Sequence, residues 1–358
     1  MTSNSRKARA ERILSGSALA NLVSMVVMFF PLSALSAAQD EVEIELFTGP
    51  STAKMVSPVY PRSRQRDGAE GWVQLNFMVG VEGNAYEVAV SDSTGDESFE
   101  KAAIKAVQRS KFEPASMNGE PTDAGHALKI VFSLRGAHGA SRKFVNAYKQ
   151  LMKAIAADDR QKSDALVTEL QAMAASNLYE DAYLHVARFV YLQKWGDSHQ
   201  QLNSLMRAVA YEQSDSYLPE KVYRSVLGSL FALQVETRDY SGALRTFDTL
   251  SRQNLDENTM TELRATVARI KALREQGTTY AVPGRISKGY SWYFPLFMST
   301  FSVVDVEGAI AEVKLRCDSD YVFFRFQPAL QYSIAEKSGK CNLELLGDPG
   351  TTFSLVQM

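Results

Sequence analysis

An alternating pattern of apolar and polar residues in the first third of the chain most constrains its fold. From Gly71 to Val79 the apolar residues recur at every second position from Val73, with Gln74 and Asn76 between them. This is the period of a strand with one buried face. A short polar segment then reverses the chain into a second alternating run, Ala85 to Ser91, so the two runs are predicted to form a β-hairpin.

The following segment changes from the period of a strand to that of a helix. Between Glu97 and Gln108 the apolar side chains recur at helical spacing, and the charged ones fall on the opposite side. Pro114 ends this segment, and the turn Asn118-Gly119 leads to a third alternating run, Ala127 to Leu134. Residues 58–136 are therefore predicted to form a small α+β domain with three strands and one helix.

Short motifs follow one another in a fixed order along this domain. They are Tyr60-Pro61, Gly71-Trp72-Val73, Gly83, Phe99-Glu100-Lys101-Ala102-Ala103, Phe112-Glu113-Pro114-Ala115, Asn118-Gly119 and the final strand. In this order and spacing they resemble the C-terminal domain of the TonB family, which consists of periplasmic proteins that contact outer-membrane receptors. The resemblance implies a domain that binds other proteins, and it covers about a fifth of the chain.

The resemblance also implies a binding site. In the TonB family the last strand of the domain receives the receptor peptide, and the Tyr-Pro pair lies close by. An edge strand suits this role because it exposes unpaired N–H and C=O groups, with His126 expected as a polar residue on the exposed edge. Two alternatives stay open, namely pairing with the same strand of a second copy in a homodimer, and cover by the following helical region. The partner-binding residues carried over are Tyr60, Pro61, His126, Ala127, Leu128, Lys129, Ile130 and Val131.

The N-terminal segment has the composition of a secretory signal peptide. Four basic residues precede an uncharged stretch, Ile13 to Ala38, which contains Pro31 and ends in small residues. We expect residues 1–38 to be removed, residues 39–57 to form a linker and the mature chain to be periplasmic. The alternative is an uncleaved inner-membrane anchor facing the periplasm, since the apolar length suffices to span a bilayer.

The resemblance to the TonB family allows one further comparison. Energy-transducing members of that family carry a Ser-x-x-x-His anchor motif followed by a proline-rich spacer. In this sequence Asn21 stands four residues after Ser17, and Pro50 is the only proline between Gln39 and Ser57. The sequence predicts partner binding, and it lacks both features by which the energy-transducing members of the family are recognised.

Residues 141–276 are rich in alanine, leucine and glutamine and contain one proline, Pro219, which predicts an all-helical domain. Helical pairs recur about every 40 residues, which resembles tetratricopeptide-type α-hairpin repeats; a generic helical bundle is the alternative. The predicted helices are Lys143–Ala156, Gln161–Ala175, Tyr179–Lys194, His199–Tyr211, Pro219–Glu236, Tyr240–Arg252 and Glu257–Gln276.

Residues 280–358 contain short β-rich runs separated by turn residues, which predicts a small all-β domain, either a sandwich or a barrel. The chain has two cysteines, Cys317 and Cys341, at the ends of predicted strands. In an exported chain such a pair is expected to form a structural disulfide. The four histidines are scattered, so no metal site is expected.

Charge and motifs limit the function classes. The chain has 39 basic and 41 acidic side chains, of which the presequence holds four basic and one acidic. The remaining 35 basic and 40 acidic side chains give a negative net charge, which argues against nucleic acid as a partner. Nucleophile, phosphate-loop and zinc-protease motifs do not occur, so we expect no enzyme and no cofactor.

The sequence predicts a periplasmic TonB-family interaction protein that binds a receptor or other envelope protein, linked to TonB-dependent transmembrane transport. The alternative is a peptidoglycan-binding protein or envelope scaffold.

Overall fold

A computed structural model describes residues 47–134, 139–174, 177–210, 217–286, 290–335 and 338–358. The predicted presequence and the first part of the predicted linker, 39–46, lie outside these residues. In the part of the chain that is described, no helix is long and apolar enough to cross a membrane.

The first region is a three-stranded antiparallel sheet with a helix on one face. The strand order of this sheet is β4-β3-β8, and two smaller sheets, β1-β6-β7 and β2-β5, flank it. The elements are β1 (Phe47–Thr48), β2 (Ser51–Lys54), α1 (Arg62–Arg66), β3 (Gly71–Val79), β4 (Ala85–Ser93), α2 (Glu97–Arg109), β5 (Lys111–Glu113), β6 (Ala115–Met117), β7 (Glu120–Thr122) and β8 (Ala124–Phe132).

Strand β3, the hairpin and helix α2 follow the sequence prediction, and two details differ from it. The third strand, β8, starts at Ala124 rather than Ala127 and ends at Phe132 rather than Leu134. The predicted linker is wrong for residues 47–54, because β1 pairs with β6 and β2 pairs with β5. These short strands satisfy backbone groups of β5 and β6, which need partners when they leave water.

Helix α2 covers one face of the main sheet. The Asp96 carboxylate caps the helix by accepting hydrogen bonds from the N–H groups of Ser98 and Phe99. The buried Phe99 and the small Ala103 of α2 form one apolar core with alternate residues of β3 and β8. This face is therefore the interior of the first region.

The second region is helical. Consecutive helices pack as the pairs α3 with α4, α5 with α6, and α7 with α8, close to the predicted bounds. A tetratricopeptide-type repeat remains a prediction. The helices are α3 (Arg142–Ala156), α4 (Arg160–Ala174), α5 (Leu178–Trp195), α6 (Ser198–Ala208), α7 (Glu220–Glu236), α8 (Tyr240–Leu250) and α9 (Glu257–Glu275).

The third region contains two antiparallel four-stranded sheets, with orders β10-β15-β12-β13 and β14-β11-β16-β9. Apolar side chains of both sheets share one core. Cys317 and Cys341 lie directly opposite each other on β12 and β15 and form the predicted disulfide, which is thereby confirmed. The strands are β9 (Tyr280–Arg285), β10 (Ser291–Pro295), β11 (Thr300–Glu307), β12 (Ile310–Cys317), β13 (Tyr321–Arg325), β14 (Gln331–Ser333), β15 (Cys341–Gly347) and β16 (Thr352–Gln357).

One apolar core joins the three regions. Trp72 of β3 is 2% exposed and lies in the same cluster as Leu178, Ala182 and Leu205 of the helices and the interior of the third region. Trp72 stands on the face of the main sheet opposite to α2, because neighbouring residues of a strand point to opposite faces. We call this the outer face. At Trp72 the outer face is packed against the rest of the chain.

Candidate functional site

The hydrogen bonds of β3 establish which residues of this central strand face each neighbour. The carbonyl of Trp72 accepts a hydrogen bond of 3.1 Å from the N–H of Thr94, and the N–H of Gly80 donates one of 3.0 Å to the carbonyl of Asn84. Both bonds are on the side of β4. Because backbone groups alternate in direction along a strand, the even-numbered residues of β3 bond to β4 and the odd-numbered ones to β8.

The register of β8 then fixes the direction of its own backbone groups. Val73 is paired with Ile130 and Leu75 with Leu128, so the even-numbered residues of β8 form the ladder with β3. The N–H and C=O groups of Ala127, Lys129 and Val131 therefore point away from the sheet. Within the described ranges, no strand pairs with this side of β8. The strand that the sequence predicts as partner-binding has a free edge.

The free edge is covered at one end. β8 packs against β12, and a Cβ atom built on Gly125 would lie 2.8 Å from the carbonyl oxygen of Cys317. A side chain at position 125 would therefore displace backbone of the third region. Ala127, two residues further along, is exposed. The accessible part of the edge begins at Ala127.

The side chain of Lys129 is held on the outer face. Its ammonium group donates a hydrogen bond of 2.6 Å to the carbonyl of Ala210 and lies 5.0 Å from the centroid of the Trp72 ring. Burial lowers the pKa of Lys129, and the nearby Asp92 carboxylate acts in the opposite direction. Only the backbone of Lys129 is available at the edge, since the side chain is engaged with the end of the helical region.

The even-numbered residues of β8 point into the first region. Leu128 and Ile130 pack in the core beneath α2. The expectation that His126 is a polar residue on the exposed edge is wrong, because position 126 shares this inner face. Its ring is half-buried, 5.4 Å from that of Phe77 and 6.0 Å from that of Phe112, and burial lowers its pKa.

The Tyr-Pro pair lies at the other end of β8. The Tyr60 ring meets the rings of Phe132 and Phe99 edge to face at 5.7 and 5.6 Å. Its hydroxyl donates a 2.5 Å hydrogen bond to the carbonyl of Ala69, and burial, reinforced by Glu70, raises the pKa of Tyr60 to about 12. Pro61 precedes α1. The structure thus brings Tyr60 to the end of β8, with its hydroxyl already engaged.

Polar contacts between the first and third regions were missed by the sequence reasoning. Lys314 forms an ion pair of 3.1 Å with Glu87, and the Tyr321 hydroxyl donates to the same carboxylate at 3.3 Å. Beside them, the buried Arg316 guanidinium binds the buried Glu344 carboxylate. No local motif could have indicated the contacts of Glu87, since its partners Lys314 and Tyr321 are more than 220 residues away in sequence.

A cleft of about 1230 Å³ lies where the three regions meet. Trp72 and Lys129 form part of one wall, Arg207 part of another and Trp292 part of a third. Arg207 also donates a hydrogen bond to the carbonyl of Ser93, which ties α6 to β4. Among the described residues, no group of three metal-ligating side chains is placed to hold a metal ion.

Comparison with solved and curated proteins gives matches for the first region. The solution NMR structure of the Pseudomonas aeruginosa TonB CTD is 24% identical and covers 25% of this chain and 92% of that chain, with a TM-score of 0.23. Protein TonB of Vibrio cholerae serotype O1 is 31% identical over 81 residues, covering 23% of this chain and 33% of that protein. Protein tonB2 of Pseudomonas aeruginosa is 37% identical over 78 residues, covering 22% of this chain and 29% of that protein.

The matched stretch is short compared with these proteins: the chain spans about a third of the length of the curated relatives it matches. The family model of the Gram-negative bacterial TonB protein C-terminal matches residues 56–134. This range includes β3, β4, α2 and the whole of β8. Residues 56–134 therefore match the C-terminal family of Gram-negative bacterial TonB proteins.

Proposed function

We propose that this chain is a periplasmic interaction protein that binds an extended segment of an outer-membrane receptor or another envelope protein. The segment adds to the main sheet as a fourth strand along β8. The observation that carries this proposal is the free edge of β8, where Ala127, Lys129 and Val131 direct their N–H and C=O groups outward. Strand addition uses backbone hydrogen bonds for affinity and side-chain pockets for specificity.

Natural edge strands are usually blunted by charge, proline or a covering element. The accessible part of β8 starts with the small, exposed Ala127, and the ammonium group of Lys129 is turned onto the outer face, where it binds Ala210. Neither residue obstructs an incoming strand. The Tyr60 ring at the Phe132 end would contact the end of the bound segment.

In this proposal the other two regions serve as a scaffold and second docking surface. The helical pairs, arranged as tetratricopeptide-type repeats, and the all-β region hold the outer face, so that one edge of the sheet is presented in a fixed orientation. Export with removal of residues 1–38 would place the chain where receptor segments are accessible, and the binding would be linked to TonB-dependent transmembrane transport.

The test compares Ala127→Pro with Ala127→Ser. Proline removes an N–H that points to the free edge and leaves the β3–β8 ladder intact, whereas serine keeps the donor at an exposed position. We expect Ala127→Pro to weaken binding of peptides from receptor N-termini at least about tenfold, measured by fluorescence anisotropy, and Ala127→Ser to bind as the wild type does.

A second pair of variants repeats the test at the next outward position. Lys129→Ala removes the side-chain bond to Ala210 and keeps the N–H, so it measures the structural part of the loss in Lys129→Pro. Circular dichroism should show that all four variants are folded. Equal peptide affinity of Ala127→Pro and the wild type would exclude strand addition at β8. Sedimentation with purified peptidoglycan, without any peptide binding, would instead support the cell-wall alternative.

A further inference from the structure

A second free edge lies in the third region, at β13. This strand is the last in the order β10-β15-β12-β13, and among the described residues nothing pairs with its outer side. The N–H of Cys317 donates a hydrogen bond of 2.8 Å to the carbonyl of Asp320, and the N–H of Phe326 donates one of 3.0 Å to the carbonyl of Ala311. The even-numbered residues that bracket β13 therefore face β12.

The same alternation gives the direction of the backbone within β13. Because Asp320 and Phe326 face β12, so do the backbone groups of the even-numbered residues between them. The N–H and C=O groups of Tyr321, Phe323 and Arg325 therefore point to the free edge. The edge presents a complete row of donors and acceptors at alternate residues.

Apolar side chains accompany this unpaired backbone. Phe323 is 66% exposed and Val322 is 40% exposed, although large apolar side chains are normally covered. The rings of Tyr321 and Phe323 stack at 6.0 Å on the same face of the sheet. The strand contains one charged side chain, Arg325 at its end, and no proline that would prevent pairing.

We propose that β13 pairs antiparallel with β13 of a second copy of this chain, about a two-fold axis at Phe323. In this register Phe323 lies opposite Phe323 of the second copy, and Tyr321 lies opposite Arg325. All three residues direct their backbone groups outward, so each opposite pair exchanges hydrogen bonds in both directions. A two-fold interface uses the same patch on both copies, which a short symmetric strand pair provides.

The side chains of β13 are complementary to themselves in this register. Two phenyl rings meet at the axis, and each Arg325 guanidinium lies beside a Tyr321 ring, which favours a cation–π contact. The Glu87 carboxylate that accepts a hydrogen bond from the Tyr321 hydroxyl is already paired with Lys314, so Arg325 contributes through its contact with the ring. No like charges stand opposite each other within the strand pair.

Strand β8 lacks this self-complementarity. Pairing two copies of β8 about Lys129 would place opposite each other two side chains that are each already bound to Ala210 of their own chain, so no contact comparable to that of Arg325 with Tyr321 would form. Pairing about Ala127 would bring Gly125 into the ladder, where Cys317 covers it. The homodimer that the sequence offers as an alternative at β8 therefore fits β13 better, and β8 stays available for another protein. This inference does not rest on the proposed function of β8.

The register is tested by Phe323→Cys. Opposite Cα atoms of a hydrogen-bonded antiparallel pair are about 5.5 Å apart, within the range that a disulfide bridges. The native cysteines are already joined to each other. We expect mild oxidation to convert Phe323→Cys into a covalent dimer on a non-reducing gel, reversed by reductant. Val322→Cys is the matched control; it lies opposite Phe324 and should stay monomeric on the gel.

The association itself is measured by light scattering of the purified chain over a series of concentrations. We expect the wild type and Phe323→Tyr to reach twice the mass of one chain. Phe323→Lys opposes two charges at the axis, and its mass should fall by half with an unchanged circular dichroism spectrum. The proposal would be overturned if the wild type stayed monomeric at its highest soluble concentration. It would also be overturned if Val322→Cys formed as much covalent dimer as Phe323→Cys.

Discussion

The ammonium group of Lys129 lies 5.0 Å from the centroid of the Trp72 ring and at the same time donates a hydrogen bond to the carbonyl of Ala210. The Arg207 guanidinium lies 6.0 Å from the same ring. These contacts join the outer face of the main sheet to the end of α6. The helical region therefore covers a face of β8 and leaves its edge open, which is the arrangement that strand addition requires.

The first prediction concerns Trp72, which is 2% exposed between the main sheet and the helices. Trp72→Ala removes a large side chain from the core shared by the three regions and leaves a cavity. We expect the free energy of unfolding to fall by about 3–5 kcal/mol, measured by urea denaturation. Trp72→Phe keeps part of the volume and should cost clearly less. Equal stability of Trp72→Ala and the wild type would show that this interface contributes little.

The second prediction concerns the buried ion pair of Arg316 and Glu344, whose carboxylate also accepts a 2.6 Å hydrogen bond from the Tyr293 hydroxyl. Glu344→Leu leaves a buried guanidinium without its counter-charge, so we expect a loss of about 3–5 kcal/mol in unfolding free energy. The double variant Arg316→Met with Glu344→Leu should be more stable than Glu344→Leu alone. If the loss in the double variant equalled the sum of the losses in Glu344→Leu and in Arg316→Met, the two residues would not be coupled and the prediction would be contradicted.

The third prediction is a loss of stability in mild acid, caused by two histidines. Burial lowers the pKa of His185, which is 3% exposed; Asp181 opposes this shift, whereas Arg207 acts with it. Burial also lowers the pKa of His126. Below about pH 6.5 the unfolded chain takes up protons that the folded chain does not, so unfolding becomes easier as the pH falls.

The expected slope is at most about 1.4 kcal/mol per pH unit for each histidine, between pH 6.5 and the lowered pKa of the folded state. Urea denaturation at a series of pH values from 7 to about 5 measures it. His185→Gln and His126→Gln should each flatten the curve in this window. A wild-type stability that does not change between these pH values would refute the prediction.

The fourth prediction concerns the disulfide of Cys317 and Cys341, which are separated by 24 positions in sequence. Closing a loop of this length restricts the unfolded chain and is expected to contribute about 3 kcal/mol. The double variant Cys317→Ser with Cys341→Ser should therefore have a lower thermal midpoint, and reductant should lower the midpoint of the wild type only. A reductant effect of equal size in the double variant would assign the change to another cause.

The local pattern of the sequence was sufficient for β3, β4 and α2 of the first region. Alternation from Gly71 to Val79 reports on one buried face, and the helical spacing in α2 reports on another, because both periods arise from backbone geometry within a few residues. The disulfide was also predicted from the sequence, because that prediction depends only on export of the chain and on two cysteines at the ends of predicted strands. His126 was assigned to the wrong side, because the side of a residue depends on its register with β3.

The sequence by itself determined the three main strands of the first region, most of the helices and the order of the TonB-like motifs. Only the tertiary structure decided which edges stay free. β13 is an edge because β15 pairs with the other side of β12, and part of the outer face of the main sheet is covered because Trp72 packs on helices more than 100 residues away. Such long-range contacts depend on how whole elements pack, and no periodicity within one segment encodes them.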